Sequence, residues 1–504
     1  MGGPKRSRNL PSPNSILDRS ALIEALESRN ITLKSNQIEG FYQALHRQHY
    51  PELGKFVENY YRHEARIYEE EEDFTPIKNH ITKKKNRNLI QLSKQLLDFL
   101  KDPDNGFVTI TSTVDLALLS KDGSTSKLAV RLHDGHVVES VLMRYVKKDG
   151  GRASLCVSSQ VGCAMGCTFC ATATMGMRGN LSSAEILEQV VHANRILAQE
   201  VKENIYGHDS NRKNLEIVRN IVFMGMGEPL NNYNNVLEAC RCLIDRKRWN
   251  FAHGKITVST VGVTPRIRDL TRDLPEVCLA LSLHAPNQEM RSAIVPAAKA
   301  YKIEALIEAL DNHMKNYLKK RAVMNTDDEV LKESTRRRAM IEYVMLEGPT
   351  SSMECAHQLG KLCQNRNLLV NLIPYNQTDV KDKLRCPSEQ HLRQFQETVT
   401  SYNVFCTVRR TMGADIASAC GQLVVQKEKE GTSLVQDIED TLLQNNNGSM
   451  KLKSENKLPK TQVSSIHIVE KHDADNVVEI LAIATSIAAI CFIVSTTLFL
   501  KQRK

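Results

Sequence analysis

Apolar residues recur at three- and four-residue intervals through Ser20–Arg29, Gln37–His46 and Leu89–Phe99, which predicts a helical N-terminal domain over residues 1–105. The period falls to two at Val108–Ile110, Lys127–Leu132 and Val137–Tyr145. Turns are expected at Gly123, Asp134-Gly135 and Asp149-Gly150, giving a small β unit over residues 106–150. From Ser154 onward, short apolar runs alternate with helical patterns. The runs are Ser154–Ser158, Ile221–Met224, Lys255–Thr260, Val277–Leu283, Met340–Leu346 and Leu368–Ile373. Between and after them lie a helix opened by the Ser182/Glu185 capping box and helices at Val236–Asp245, Pro265–Thr271, Ile303–Tyr317, Ser352–Asn365 and Glu389–Thr400. Six βα units over residues 151–425 predict an α/β fold, a partial, open (βα)6 parallel barrel, since a closed one needs two more units. Sites in such sheets lie at the C-terminal ends of the strands.

Three stretches depart from this rhythm. Lys319–Arg338 is charged and poor in core residues, as an exposed insertion would be. The acidic run Glu69–Asp73, followed by Lys83-Lys84-Lys85, reads as a solvated loop. Residues 426–476 are rich in Lys, Glu, Asn, Ser and Gln, as in a flexible linker. After them Val477–Leu500 carries no charge but Glu479, and the chain ends Lys501-Gln502-Arg503-Lys504. About 20 apolar residues span a bilayer as a helix. The expectation is a C-terminal transmembrane anchor over 477–500, with the rest of the chain cytoplasmic and tethered.

Charge and composition add limits. The chain has 504 residues and a formal net charge of +9, a mild basic excess that suits RNA or phosphate partners as well as an ordinary solvated surface. Its 13 cysteines are odd in number and scattered through apolar segments, as at Cys240, Cys278 and Cys363, which points to a reducing compartment. Arg6 stands where a myristoylation site needs Ser or Thr, and Asp18, Glu24 and Glu27 speak against a transit peptide. Arg409-Arg410, Lys147-Lys148 and Arg336-Arg337-Arg338 are candidate phosphate contacts or plain surface.

The sharpest chemical signal is Cys163-Ala-Met-Gly-Cys167-Thr-Phe-Cys170. Three thiolates on one short loop hold three irons of a cubane and leave the fourth open, whereas a structural zinc site closes four ligands. A second Cys pair with metal-site spacing is absent. Gly225-Met-Gly-Glu-Pro229 follows a strand, with glycines that let backbone approach a ligand and a carboxylate that accepts from an ammonium.

Together with Cys156-Val-Ser-Ser-Gln-Val-Gly-Cys163, Ser282-Leu-His284-Ala-Pro286, Asn371-Leu-Ile-Pro-Tyr-Asn376 and Ala419-Cys420-Gly-Gln-Leu423, these motifs resemble the radical S-adenosylmethionine RNA methyltransferases of the RlmN type, over roughly residues 100–425. The resemblance implies methylation of carbon 2 of adenine in rRNA, and in bacteria also in tRNA. It implies a 4Fe–4S cluster on Cys163, Cys167 and Cys170, and S-adenosylmethionine held by Gly227, Glu228, Ser259, Ser282, Leu283, His284 and Asn376. It implies that Cys420 accepts a methyl group, that hydrogen is removed from that methyl by a radical, and that the resulting RNA adduct is resolved by Cys156 through a transient disulfide with Cys420. Glu139 matches the proton acceptor, although its link to Cys156 is longer here than in the bacterial enzymes. A flavodoxin- or ferredoxin-type electron donor and a monomeric enzyme are expected with it. The chemistry agrees: carbon 2 of adenine is electron-poor, and a radical route avoids the high barrier of polar methyl transfer. Two other readings share these motifs, a carbon-8 methylase (Cfr-like) and an iron–sulfur RNA-binding protein without turnover.

Overall fold

The computed structural model describes residues 8, 10–72, 91–146, 151–203, 215–324, 339–378, 380 and 383–423. By contacts the chain divides into Met1–Val435 and Gln436–Lys504. The second unit lies outside the described residues.

One sheet of ten strands organises the first unit. In chain order the strands are β1 (Thr113–Leu119), β2 (Thr125–Arg131), β3 (Val137–Tyr145), β4 (Arg152–Cys156), β5 (Val218–Phe223), β6 (Ile256–Thr260), β7 (Cys278–Ser282), β8 (Ala339–Met345), β9 (Leu369–Pro374) and β10 (Phe405–Val408). Neighbours in sequence are neighbours in the sheet. β4 to β10 run parallel, while β1 to β3 continue the same sheet antiparallel, with β3 paired to β4 through Val141 opposite Cys156. The six expected βα units are therefore present, followed by a seventh parallel strand, and the sheet stays open with β10 and β1 at its edges.

The local reasons are conventional. Strands covered on both faces read as continuous apolar runs, and every residue of β6 is buried. Four of the helices that follow the strands open on side-chain caps. Ser182 accepts from the Glu185 amide at 3.2 Å while Glu185 accepts from the Ser182 amide at 2.8 Å. Ser352, Ser388 and Asn287 cap three others.

In the N-terminal segment the expected helices form at α1 (Arg19–Ser28), α2 (Ser35–Arg47) and α4 (Lys94–Lys101). A fourth, α3 (Leu53–Glu72), was not anticipated, and most of the acidic run expected as a loop is its last turn. These helices share one apolar core with the barrel through Phe41, Phe56, Leu96 and Leu100.

The fold class needs a correction at its C-terminal end. A bilayer needs about 20 apolar residues in one helix. No helix among the described residues is long and apolar enough to cross a membrane, so the described fold does not include the transmembrane helix expected over 477–500. The longest described helices, Ile303–Met324, Ser183–Lys202 and Leu53–Glu72, all carry charges at intervals along their length. Residues 477–500 and the 426–476 linker lie outside the described residues, as does most of the 319–338 insertion, of which the described part continues the Ile303–Met324 helix.

Beside the shared core, one buried carboxylate ties the segment leading into β1 to the barrel. Glu188, fully buried in helix α5 (Ser183–Lys202), accepts from the amides of Thr111 and Ser112 at 3.0 Å each and from both hydroxyls. Glu188→Ala strands the amides of Thr111 and Ser112 and the Thr111 hydroxyl, while the Ser112 hydroxyl keeps His192 at 2.9 Å. It should lower unfolding stability by about 3 kcal/mol, read as an earlier denaturant midpoint, whereas Glu188→Gln should lose clearly less.

Candidate active site

The cysteine loop leaves the C-terminal end of β4 and is pinned at its base. A short antiparallel ribbon, Gln160–Gly162 with Met177–Asn180, closes it. The Cys163 amide donates to the Gly176 carbonyl at 3.0 Å, and the Thr168 amide to the Ile294 carbonyl at 3.0 Å. Cys163, Cys167 and Cys170 all line one cleft with about 900 Å³ of space counting its open mouth. Burial pushes all three thiols up, Cys163 to about 12. Neighbouring thiols add to the shift at Cys167.

The far wall of that cleft is built from strand ends. Ser259 closes on Ser282 at 3.2 Å, hydroxyl to hydroxyl. Glu228, 2% exposed, accepts from the amides of Leu230 at 3.0 Å and Val261 at 2.9 Å, and burial pushes its carboxyl up to about 7. Gly227 has φ +102°, and a side chain there would put Cβ 2.5 Å from Cβ of Gln160, whose amide oxygen accepts from the Glu228 amide. The His284 ring accepts from the Val344 amide through Nδ1 at 3.1 Å, and burial pulls its pKa down to about 3. It is a neutral imidazole with its proton on Nε2.

A second, narrower cavity abuts the first. Cys156 and Cys420 both line it, with Val141, Met143 and Tyr145 of β3. Cys420, Asn376 and Arg409 line both cavities. Asn376 donates to the Cys420 carbonyl at 3.3 Å. Cys156 and Cys420 are free thiols, so the expected disulfide is not formed in this structure. Burial pushes Cys156 up to about 12, Cys420 adds to the shift, and Arg409 opposes it.

Residues 157–333 match the radical SAM superfamily. The chain is 38% identical over 309 residues to a Ribosomal RNA large subunit methyltransferase N of Nitrosopumilus maritimus, covering 61% of this chain and 78% of that protein. It is 39% identical to Dual-specificity RNA methyltransferase RlmN 1 of Myxococcus xanthus, covering 62% and 76%. The chain belongs to the RlmN family. A radical SAM methyltransferase from Sphaerobacter thermophilus has the same fold, with a TM-score of 0.61 at 31% identity over 82% of this chain and 99% of that one.

The cofactors of an RlmN-family protein, a 4Fe–4S cluster and S-adenosylmethionine, fit the donors present. Among the described residues no three His, Cys, Asp or Glu side chains converge to hold a single metal ion. The three thiols instead share one cleft, which suits thiolates that each bind a different iron.

Two expected residues sit differently from the rest. Leu283 is fully buried and lines neither cavity. Its amide donates to the Glu342 carbonyl at 3.0 Å and its carbonyl accepts from Arg291. Glu139 also lines neither cavity. Its carboxylate pairs with Lys127 at 3.0 Å, and its backbone is tied to Ser158 and Met226. Strand alternation nevertheless places it on the same face of β3 as Val141, Met143 and Tyr145.

Sequence reasoning missed a polar row. Ser282, Glu342, Asn371 and Thr407 stand opposite one another on four adjacent parallel strands. Asn371 donates to Glu342 at 3.1 Å, and the Arg409 guanidinium lies 3.9 Å from the same carboxylate. A carboxylate in the middle of Ala-Met-Ile-Glu-Tyr-Val-Met was the available signal. Arg409, read from sequence as a phosphate contact or plain surface, is part of this site. Lys147-Lys148 and Arg336-Arg337-Arg338 lie outside the described residues.

Burial raises the Glu342 carboxyl while Arg409 opposes the rise. Arg409→Met removes that opposition. The folded pKa then climbs further above the unfolded value, so the loss of stability is complete above the folded pKa and fades as pH falls toward the unfolded one. Arg409 is partly exposed, so a loss of about 2 kcal/mol near neutral pH is expected. Adding Glu342→Gln should recover most of it in the same denaturation series.

Proposed function

We propose that the protein methylates carbon 2 of adenine in ribosomal RNA, and in tRNA as well, through a methyl group carried on Cys420. The observation that supports this reading best is the position of Cys420. It lines the cleft of Cys163, Cys167 and Cys170 and also the cavity that contains Cys156. A thiol so placed receives a methyl group on one side and hands it on at the other.

When bound, the cluster and S-adenosylmethionine supply the methyl group and the one-electron chemistry that activates it. Cys163, Cys167 and Cys170 hold the cluster. Gly227, Glu228, Ser259, Ser282, His284 and Asn376 hold S-adenosylmethionine, with Leu283 contributing through its backbone. Neutral His284 offers a hydrogen bond and adds no charge.

Once the carbon carried by Cys420 is joined to the base, Glu139 takes the carbon-2 proton, the odd electron leaves through the one-electron chemistry that the cluster would supply, and the Cys156 thiolate attacks the Cys420 sulfur. The sulfur–carbon bond to RNA breaks, a Cys156–Cys420 disulfide forms, and the freed carbon takes a proton to become the methyl group of the released base. A flavodoxin- or ferredoxin-type donor supplies electrons to the cluster, and reduction of the disulfide restores both thiols. The Arg409 guanidinium is the cation that offsets the burial of Cys156. The base enters turned out of any helix, so loops and unfolded precursors are the accessible substrates.

Anaerobic reconstitution with labelled S-adenosylmethionine and candidate RNAs, followed by mass spectrometric separation of methyladenosine isomers, tests the reaction. The carbon-2 isomer is expected, and carbon-8 methyladenosine alone would assign the chain to the other branch. Cys420→Ala should give neither methylated RNA nor any adduct. Cys156→Ala should leave RNA covalently joined to protein on a denaturing gel, with multiple-turnover methylation down at least about a hundredfold. Full activity in Cys420→Ala would refute the scheme. Gly227→Ala should weaken S-adenosylmethionine binding by about tenfold, or ~1.4 kcal/mol, in equilibrium dialysis of folded protein.

A further inference from the structure

Arg291 has no part in the scheme above, yet it is a fully buried guanidinium at 0% exposure. It sits on helix α8 (Gln288–Ile294) behind the cysteine loop. Nε donates to the Leu283 carbonyl at 3.0 Å, and Nη2 to the carbonyls of Val261 and, at 3.4 Å, Ser282. All three acceptors are neutral. Nη1 has no hydrogen-bond partner among the described residues. A buried cation without a counter-charge costs several kcal/mol, and carbonyl dipoles offset only part of that.

Arg291 stands behind the wall of the cysteine cleft, since Val261 and Ser282, whose carbonyls hold its Nη2, line the same cleft as Cys167. The cysteine loop also packs against the end of this helix. The Thr168 amide donates to the Ile294 carbonyl, and a Cβ on Gly166 would stand 3.6 Å from Pro296.

We propose that Arg291 is the fixed counter-cation of the iron–sulfur cluster, its unpartnered Nη1 being the donor left for the cluster's charge. This rests on the cluster site proposed above. A thiolate-ligated cluster gains one negative charge when one electron enters from the reductant. No bond to Arg291 forms or breaks, and its proton stays in place. A cation held in a low-dielectric wall favours the more negative state and makes the cluster easier to reduce. Arg291 is therefore a positioning residue that sets potential, beyond its role in tying the ends of β6 and β7 to α8.

The test is an EPR-monitored redox titration of anaerobically reconstituted full-length protein, with iron and sulfide measured on each sample. In Arg291→Gln the ratio of reduced to oxidised cluster at a fixed potential should fall about tenfold, a shift of about 59 mV to the negative for one electron. Arg291→Lys keeps the charge but loses the planar fork, so its potential should stay near the wild-type value. A purely structural role would disturb both variants alike and leave the potential unmoved. An unchanged potential in an iron-replete Arg291→Gln protein overturns the proposal.

A second measurement covers the case in which that variant does not fold. Protein with an intact Arg291 and Arg409→Lys is grown on arginine labelled with nitrogen-15 in the guanidinium. Pulsed EPR of its reduced cluster should show a nitrogen-15 coupling, and its absence overturns the proposal. Wild-type protein without iron or sulfide would instead defeat the cluster site itself.

Discussion

The site hangs on two hydrogen bonds between segments about 250 residues apart. The Ala171 amide donates to the Gly421 carbonyl at 2.8 Å, and the Thr172 hydroxyl donates to the Leu423 carbonyl at 2.6 Å across a separation of 251 residues. Among the described residues past β10, a helical turn at Ala414–Ile416 is the one regular element. Nothing in local propensity would hold Cys420 in one place. The staple attaches its loop directly to the helical turn that follows Cys170, and Gln422, donating to the Gln377 carbonyl at 2.8 Å, attaches it to the end of β9. Cys420 is thereby placed in the frame of the cysteine loop, and error in the rest of the barrel does not accumulate between them.

The barrel was legible because its signals are local. Fully buried parallel strands read as apolar runs, and the helices announce themselves with Ser caps, as at Ser182 and Ser388. What escaped was set by tertiary context. β1 reads Thr-Val-Asp-Leu-Ala-Leu-Leu without alternation, and Leu116 is 49% exposed, because it is an edge strand whose apolar residues have no partner sheet. α3 opens on Leu-Gly-Lys with no acidic residue in its first turn, and it owes its place to packing of Phe56, Val57 and Tyr60 against the shared core. That β3 joins β4 antiparallel, fusing the small β unit to the barrel sheet, is a pairing between strands and leaves no mark in either one.

The site divides along the same line. Motif residues at strand ends, Gly227, Glu228, Ser259, Ser282 and His284, were found because strand order in a parallel sheet decides which loops meet. Glu342 and Arg409 were not recognised as site residues, since their meaning depends on register. Glu342 matters because it stands beside Ser282 and Asn371, and Arg409 because its amide, donating to the Leu372 carbonyl at 2.8 Å, prolongs β10 toward the two reactive thiols. Leu283 shows the reverse limit. A residue inside a binding motif can serve by fixing backbone, with its side chain in the core.

These placements leave an electrostatic imbalance that explains the site's composition. Burial alone would keep Cys156 and Cys163 protonated at neutral pH. Each needs a cation to become a thiolate. Metal coordination would supply one for the loop cysteines by displacing their protons, whereas among the described residues the cation acting on Cys156 is Arg409. The Arg409 charge is in turn shared with a carboxylate 3.9 Å away, and Arg291 has no carboxylate partner among the described residues. Two weakly compensated cations and a polar row around the buried Glu342 weaken this end of the sheet. The apolar core that the barrel shares with the N-terminal helices lets the protein tolerate that loss where its chemistry needs it.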